Sequence, residues 1–413
     1  MPKKNIWFVN KEAAPSTEFA THMRTVRQAQ FFQEKGYSVK VFCSSVVHNS
    51  NVEHRFEGKI KEEMHDGIPM VFVKCPKYGK SSLKRVLAFF IFSVNLFKAK
   101  SLGKPDIIIH ESKTPFDILV YWFAKKYKAR YIVDIEDLWP FELEHFGFFS
   151  NGNPLLKMLY RMERWLYAHC EHVVVSQEGC HEYIKEHKWD IEHCGPIDLN
   201  RIHYVNNGTS LAEFDDNKAK YVLDDADLKD SSFKLIYLGS IRLANNLDRL
   251  IDAAKLLLPY KDIKILIYGN GTERESLEVR CRKEKVENVF FKDKWIELQY
   301  VPFVLSRANV NLLNYAPNWA PYGGSMNKMV MAFASGKPII CNAGMPYSEI
   351  QRHNIGIDKA FINDQEYANA ILSIYYMNQQ GYNEMCYRVR EVAKRYDAPY
   401  LCEQFANYCS IPI

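Results

Sequence analysis

Hydrophobic and polar positions change period repeatedly along this chain, and each change marks an element. Residues 5–10, NIWFVN, are an apolar run of strand length, followed by the loop KEAAPST. From about Ser16, apolar residues at Phe19, Met23, Val26 and Ala29 keep a helical spacing until Gly36 stops them. Residues 37–43 read as the next strand, so the chain opens with a βαβ unit and hence a parallel sheet. The alternation continues with strands over 105–112, 129–140, 172–176 and 202–210, separated by helices over 115–127, 153–168 and 178–186. The stretch 213–232, EFDDNKAKYVLDDADLKDSS, is polar, acidic and without period, which predicts an inter-domain connection with one short helix. The pattern then restarts. Strands over 233–240, 263–271, 288–295 and 309–316 alternate with helices from 246, over 273–284 and over 300–306. Two such series predict an α/β protein of two Rossmann-like, doubly wound domains, 1–212 and 233–394, facing a central crevice.

The stretch 321–340, PYGGSMNKMVMAFASGKPII, is the most informative. Gly323 and Gly324 free the backbone for a turn that a ligand can approach closely. Ser325 or Asn327 is placed to cap a helix built on the apolar run 329–334, which Gly336 ends before the strand PIIC. A helix N-terminus behind a glycine turn offers N–H groups and positive dipole to a phosphate, and Lys328 adds a full charge there. The same pattern also suits an ordinary βα connection.

Composition narrows the class. At 413 residues, with 47% hydrophobic and 25% charged residues, the chain is long enough for two cored domains. A net charge of +5 is too mild for a nucleic-acid binder but leaves room for a local basic patch. Ten cysteines with no C-x-x-C pair suggest a reducing compartment, and the strand-like start at residue 5 leads us to expect a cytoplasmic protein. Histidines and cysteines between 169 and 194 match no zinc spacing, so no metal is expected.

Segment 80–104 stands apart. Residues 86–97 carry no charge, and Lys80, Lys84, Arg85, Lys98, Lys100 and Lys104 flank them. The run is too short to span a bilayer and fits either a helix lying on a membrane surface or a buried core helix with solvated ends. Glu136 and Asp137, at the end of strand 129–140, fall on the edge where open α/β sheets bind ligands. They suit sugar hydroxyls or a base, while Asp137 equally suits a helix cap. Thr21, His22 and Arg24 follow the first strand and either face the crevice or form a solvated helix face. The turn GNGTER has Arg274 where a dinucleotide motif needs glycine, which argues against a nicotinamide site.

Taken in order, DIEDLWP, MERWLYAHCEHVVVSQ, YVNNGTSLAEF, YLGSIRLANNLDRLIDAAK, YGNG and YGGSMNKMVMAFASGKPII resemble the GT-B glycosyltransferases. The likeness covers nearly the whole chain and is to the retaining family-4 enzymes of bacterial surface polysaccharide synthesis, in particular a branch resembling N-acetyl-fucosamine transferases. The resemblance implies an acceptor site on the first domain, a nucleotide-sugar site on the second, and a last helix, 395–413, crossing back. It places the diphosphate at Gly239, Ser240 and Arg242 and at Gly324, Ser325, Asn327 and Lys328, with the base near Trp295. The family's paired glutamates fall on Gly323 and Met331, its usual Arg and Lys on Ser240 and Asn245, and its histidine on Glu136. The implied reaction moves a sugar, expected to be UDP-linked, to a lipid-linked or saccharide acceptor with retention, using neither metal nor cofactor. Glu136 and Asp137 then orient sugar or acceptor. The alternatives are a non-catalytic partner subunit, motivated by the missing glutamates, and a nucleotide-sugar epimerase of the same fold.

Overall fold

The computed structural model describes residues 4–18, 24–48, 50, 52–79, 82–316 and 320–413. Phe19, Thr21, His22, Met23 and Lys80, named above, lie outside them. The chain forms two compact units, residues 1–206 with 401–413, and residues 207–400.

The first unit holds an eight-stranded sheet: β1 (Asn5–Val9), β2 (Ser38–Ser44), β3 (Ile60–His65), β4 (Ile68–Val73), β5 (Ile107–Glu111), β6 (Arg130–Ile135), β7 (His172–Val175) and β8 (Ile202–Tyr204). Their order is β3-β4-β2-β1-β5-β6-β7-β8, parallel except for the edge hairpin β3–β4. That hairpin turns on Asp66 and Gly67, both with positive φ, the conformation an Asp-Gly pair favours. Along β1 the side chains alternate. Ile6 and Phe8 join the core under helix Arg24–Glu34 and the C-terminal Phe405 and Cys409, while Trp7 stacks on Phe123 across the sheet. Successive connections run leftward from β1 to β2 and rightward from β4 to β5, so the strand order reverses between β1 and β5.

The second unit holds six parallel strands: β9 (Phe233–Leu238), β10 (Ile263–Tyr268), β11 (Val289–Phe291), β12 (Val310–Leu313), β13 (Ile339–Cys341) and β14 (Gly356–Asp358). Their order, β11-β10-β9-β12-β13-β14, reverses between β9 and β12. Helices Leu247–Leu256 and Asp364–Tyr375 cover one face, and the short helix Val301–Ser306 packs on the other.

Three expectations are corrected here. The stretch 213–232 lies inside the second unit and carries two helices, Leu211–Lys220 and Ala226–Lys229. Its acids are spent on fastening them: Lys292 Nζ lies 2.7 Å from Asp225 and 2.8 Å from Asp227, and Lys264 Nζ 2.6 Å from both Asp227 and Asp230. The strand expected over 202–210 stops at Tyr204, because Ser210 already caps the helix that follows. Strand 129–140 likewise ends at Ile135, since Pro140 sits in the first turn of helix Trp139–His145.

Candidate active site

Open parallel sheets bind ligands at the carboxyl ends of their strands where strand order reverses. Each unit has such a place, and in each the sequence puts polar residues there.

In the second unit the loops after β9 and β12 flank the reversal, joined by the amide of Ala316 donating to the carbonyl of Ala244 at 2.8 Å. Gly239 ends β9 with φ +151°, and its N–H donates to the Tyr268 carbonyl at 3.0 Å. A Cβ at Gly239 would stand 2.1 Å from Lys328 Cε and 2.4 Å from Nζ, so the absent side chain is what lets Lys328 lie across the turn. The glycines of GNG serve the same closeness. A Cβ on Gly269 or Gly271 would sit 2.0 Å from the carbonyl of Gly239 or Ile241.

Lys328 is the centre of this group. Its Nζ donates to Tyr237 Oη at 3.0 Å and lies 4.9 Å from that ring's centroid. Burial first, and the neighbouring Arg242 charge second, push its pKa down to about 8. Among the described residues no carboxylate forms an ion pair with it. Arg242 is exposed and opens the short turn Leu243–Asn245, whose Asn245 Oδ1 accepts from Ser240 Oγ at 3.1 Å and from the Arg242 amide at 3.3 Å. Asn245, at the family's lysine position, therefore holds the turn while Lys328 supplies the cation from the facing helix.

That helix, Asn327–Ser335, begins with Met326 as N-cap and no side-chain cap. The expected cap by Ser325 or Asn327 does not form: Asn327 is the first helical residue, and Ser325 Oγ accepts from the Asn207 amide at 3.1 Å. Gly323 has φ +84°, whereas a Cβ on Gly324 would press within 2.9 Å of Met326 Cε. Gly336 ends the helix in the left-handed conformation, as expected. Trp295 stands 81% exposed on the loop after β11, and no described contact ties it to the Lys328 group.

Replacing Gly239 by alanine is a direct check on this geometry. The new methyl displaces the flexible end of Lys328, and at φ +151° the backbone must also shift to accept a Cβ. Expected outcome: nucleoside diphosphate affinity falls about tenfold or more by calorimetry, for one lost charge-assisted hydrogen bond, and the melting temperature falls by the few degrees that about 1–3 kcal/mol of backbone strain costs.

In the first unit the loops after β1 and β5 flank the reversal and carry Lys11, Glu12 and Lys113. Lys113 is the hub: its Nζ lies 2.5 Å from Glu111, 3.4 Å from Glu136, 3.7 Å from Glu12 and 3.8 Å from Asp137. Burial alone lowers Lys113, but these four carboxylates outweigh it and hold its pKa well above the ordinary value. Burial pushes Glu111 up to about 7 against the pull of Lys113. Glu12 is also raised by burial, yet Lys11, Lys113, His48 and Arg85 bring it below the carboxylate range. Glu136 is buried and its carbonyl accepts from Ser176 Oγ and Gln177 Nε2, both at 2.6 Å. Asp137 is half-exposed and does not cap the next helix, whose N-cap is Leu138.

Lys113 and Glu12 are absent from the sequence reading. In sequence they are two charges in unrelated loops, and strand order alone brings β1, β5 and β6 side by side. Arg24 is neither solvated nor available: its side chain is 8% exposed, with Nε 2.9 Å from Asp134 Oδ2 and NH1 donating to the Asn206 carbonyl at 2.8 Å. Beside the Lys113 loop a small cleft opens between Ser112, Thr114, Trp139 and Glu163. Glu163 lies within hydrogen-bond reach of Tyr167 Oη at 2.7 Å and Tyr183 Oη at 2.6 Å, and burial pushes its pKa up to about 7.

Two doubly wound units, each with a polar group at its strand-order reversal, define the GT-B architecture. Residues 223–395 match the family of glycosyl transferases group 1, and residues 20–198 match the glycosyl transferase 4-like domain. Solved structures agree over essentially the full length. HepE of Anabaena, crystallised with UDP and glucose, is 14% identical with a TM-score of 0.66, covering 98% of this chain and 99% of its own. Sucrose-phosphate synthase of Thermosynechococcus elongatus is 15% identical at a TM-score of 0.68, covering 98% of each chain. WaaG, a glycosyltransferase involved in lipopolysaccharide biosynthesis, is 14% identical at 0.64, covering 97% of this chain and 98% of its own. No curated protein sequence matches the chain. The protein is a glycosyltransferase of GT-B fold, carrying both of that fold's domains.

Proposed function

We propose that this glycosyltransferase moves a sugar from a UDP-linked donor to a lipid-linked or saccharide acceptor, with retention, in cell-surface polysaccharide synthesis at the inner face of the membrane. The observation that carries the donor half is Lys328, a half-buried cation bonded to a neutral phenol and set against a bare glycine turn. A desolvated ammonium of this kind is stabilised by an anion, and a diphosphate supplies one where the helix N-terminus adds dipole and Arg242 a second charge. HepE, crystallised with UDP and glucose, supports the choice of base.

In the proposed step the bond from the sugar's anomeric carbon to the diphosphate oxygen breaks, and the acceptor oxygen bonds to that carbon on the same face. The acceptor proton passes to the departing phosphate oxygen. Lys328, Arg242 and the first turn of helix Asn327–Ser335 stabilise the growing negative charge, so the step asks for no metal or cofactor. Glu136 and Asp137, oriented by Lys113, position hydroxyl groups on the acceptor side and attack nothing. A hydrolytic or double-displacement role suits Glu136 poorly, because Lys113 holds its carboxylate.

Thermal stabilisation against a panel of nucleoside diphosphates and nucleotide sugars tests the reading. A true ligand at a hundred times its dissociation constant stabilises by about 2.7 kcal/mol, and the expected responders are UDP compounds. A panel without any response overturns the donor assignment and leaves the non-catalytic partner. Turnover of the donor with no acceptor present identifies an epimerase.

A further inference from the structure

Helix Ser82–Asn95 in the first unit has two apolar faces, and the domain uses one of them. Ala88 and Phe92 are buried, continued by Leu96 and Ala99 in the turn that follows. The opposite face carries Leu83, Val86, Leu87, Phe90 and Val94, all exposed, with Leu83 at 84%. Positions 83, 87, 90 and 94 fall four, three and four apart, so these side chains form one straight line along the helix. Phe90 extends the line sideways by an edge contact with Phe116, ring centroids 5.3 Å apart, at the start of helix Asp117–Tyr127. A monomeric soluble domain seldom leaves a contiguous apolar line of this length in water.

The charges around the line are of one sign. Between residues 82 and 105 the sequence has Lys84, Arg85, Lys98, Lys100 and Lys104 and no aspartate or glutamate. All five are exposed. An acidic peptide would satisfy the lysines but gain little from five aliphatic and aromatic side chains in line. A bilayer meets both: its acyl boundary takes the apolar line, and its anionic headgroups take the cations beside it. At 14 residues the helix is about 21 Å long, too short to cross, and among the described residues no helix is long and apolar enough to do so.

We infer that helix Ser82–Asn95 lies flat in the surface of an anionic bilayer, its Leu83–Leu87–Phe90–Val94 line at the acyl boundary and Lys98, Lys100 and Lys104 among the headgroups. This rests on the proposed lipid-linked acceptor for its purpose, since it brings the Lys113 group's unit to the surface where such an acceptor sits.

Sedimentation of the full chain with vesicles, with no donor present, tests it. Wild type is expected to pellet with phosphatidylcholine vesicles containing phosphatidylglycerol and to stay in solution with phosphatidylcholine alone. Leu87→Glu with Phe90→Glu is expected to lower partitioning about a hundredfold or more. Lys98→Ser, Lys100→Ser and Lys104→Ser, which touch no core, are each expected to cost about fivefold. Far-UV circular dichroism and the melting temperature report that the variants remain folded. Wild type that ignores anionic vesicles, or binding unaffected by both sets of variants, overturns the inference. So does a wild-type dimer in solution that Leu87→Glu with Phe90→Glu makes monomeric, which would put a second copy on the line. Because vesicle binding needs no donor, its loss leaves glycosyl transfer standing, and failure of the donor panel leaves the docking surface standing.

Discussion

Lys328→Met is expected to make the ligand-free protein more stable and the enzyme nearly inactive. The two effects have one cause. Lys328 is half-buried, desolvation pushes its pKa down to about 8, and its Nζ has a phenol for company. A lysine whose folded value lies below its ordinary value binds protons less well in the folded state, so folding is opposed while pH is below about 8. That opposition fades as pH rises from about 8 towards the ordinary lysine value. Methionine fills similar volume without charge, and removing the desolvated cation is expected to add roughly 1–3 kcal/mol at pH 7, with the gain vanishing by about pH 10. The same substitution removes a donor to the charge that grows on the leaving phosphate, worth about a hundred- to a thousandfold in kcat. Melting temperatures across pH, beside kcat/KM at pH 7, check both halves. A variant that is destabilised at pH 7, or retains full turnover, rules the assignment out.

Lys113→Met has the opposite signature. Here the cation is surrounded by Glu12, Glu111, Glu136 and Asp137, and deleting it leaves like charges facing one another in a buried site. Breaking a buried ion pair by removing one partner costs about 3–5 kcal/mol, and Lys113 touches all four carboxylates, although Glu12 also keeps Lys11, His48 and Arg85. The loss depends on pH. Burial already pushes Glu111 up to about 7, and Lys113→Met removes the cation that pulls it down. Carboxyls with raised folded values bind protons more readily in the folded state, so the variant recovers stability as pH falls and loses it as pH rises through that range. Denaturant midpoints at pH 5.5 and pH 8 are expected to differ far more for Lys113→Met than for wild type. Acceptor KM is expected to rise in the folded fraction, while donor binding, which we propose uses the other unit, is expected to be unchanged. Equal destabilisation at both pH values would mean that the carboxylates do not share the lysine's charge.

The two predictions differ in how far the sequence foretold them. The helix start that carries Lys328 was legible because what builds it is local: Gly323 and Gly324 before it, an apolar run after it, and Gly336 to close the helix. The cap was misassigned to Ser325 or Asn327 because a polar residue near a helix start cannot be placed on the cap position without knowing where the first turn closes. Met326 takes that place here. The Asp66–Gly67 hairpin was equally local, an Asp-Gly pair with both φ positive, and went unread because strand β3 is largely polar on an exposed sheet edge.

By itself the sequence determined the alternation of strands and helices, the two series, the glycine turns and the uncharged run 86–97 with its flanking lysines, since period, glycine and charge act over a few residues. Tertiary structure decided what depends on which strands lie side by side. It set β1 beside β5 and so gathered Glu12, Glu111, Lys113 and Glu136 from separate loops. It set β9 beside β12 and so laid Lys328 across Gly239. It also buried Arg24 against Asp134 instead of leaving it to solvent. The physical reason is that an ion pair or a desolvated charge is a property of neighbours within a few ångströms. In a parallel sheet, strand order chooses those neighbours, and no local pattern carries it.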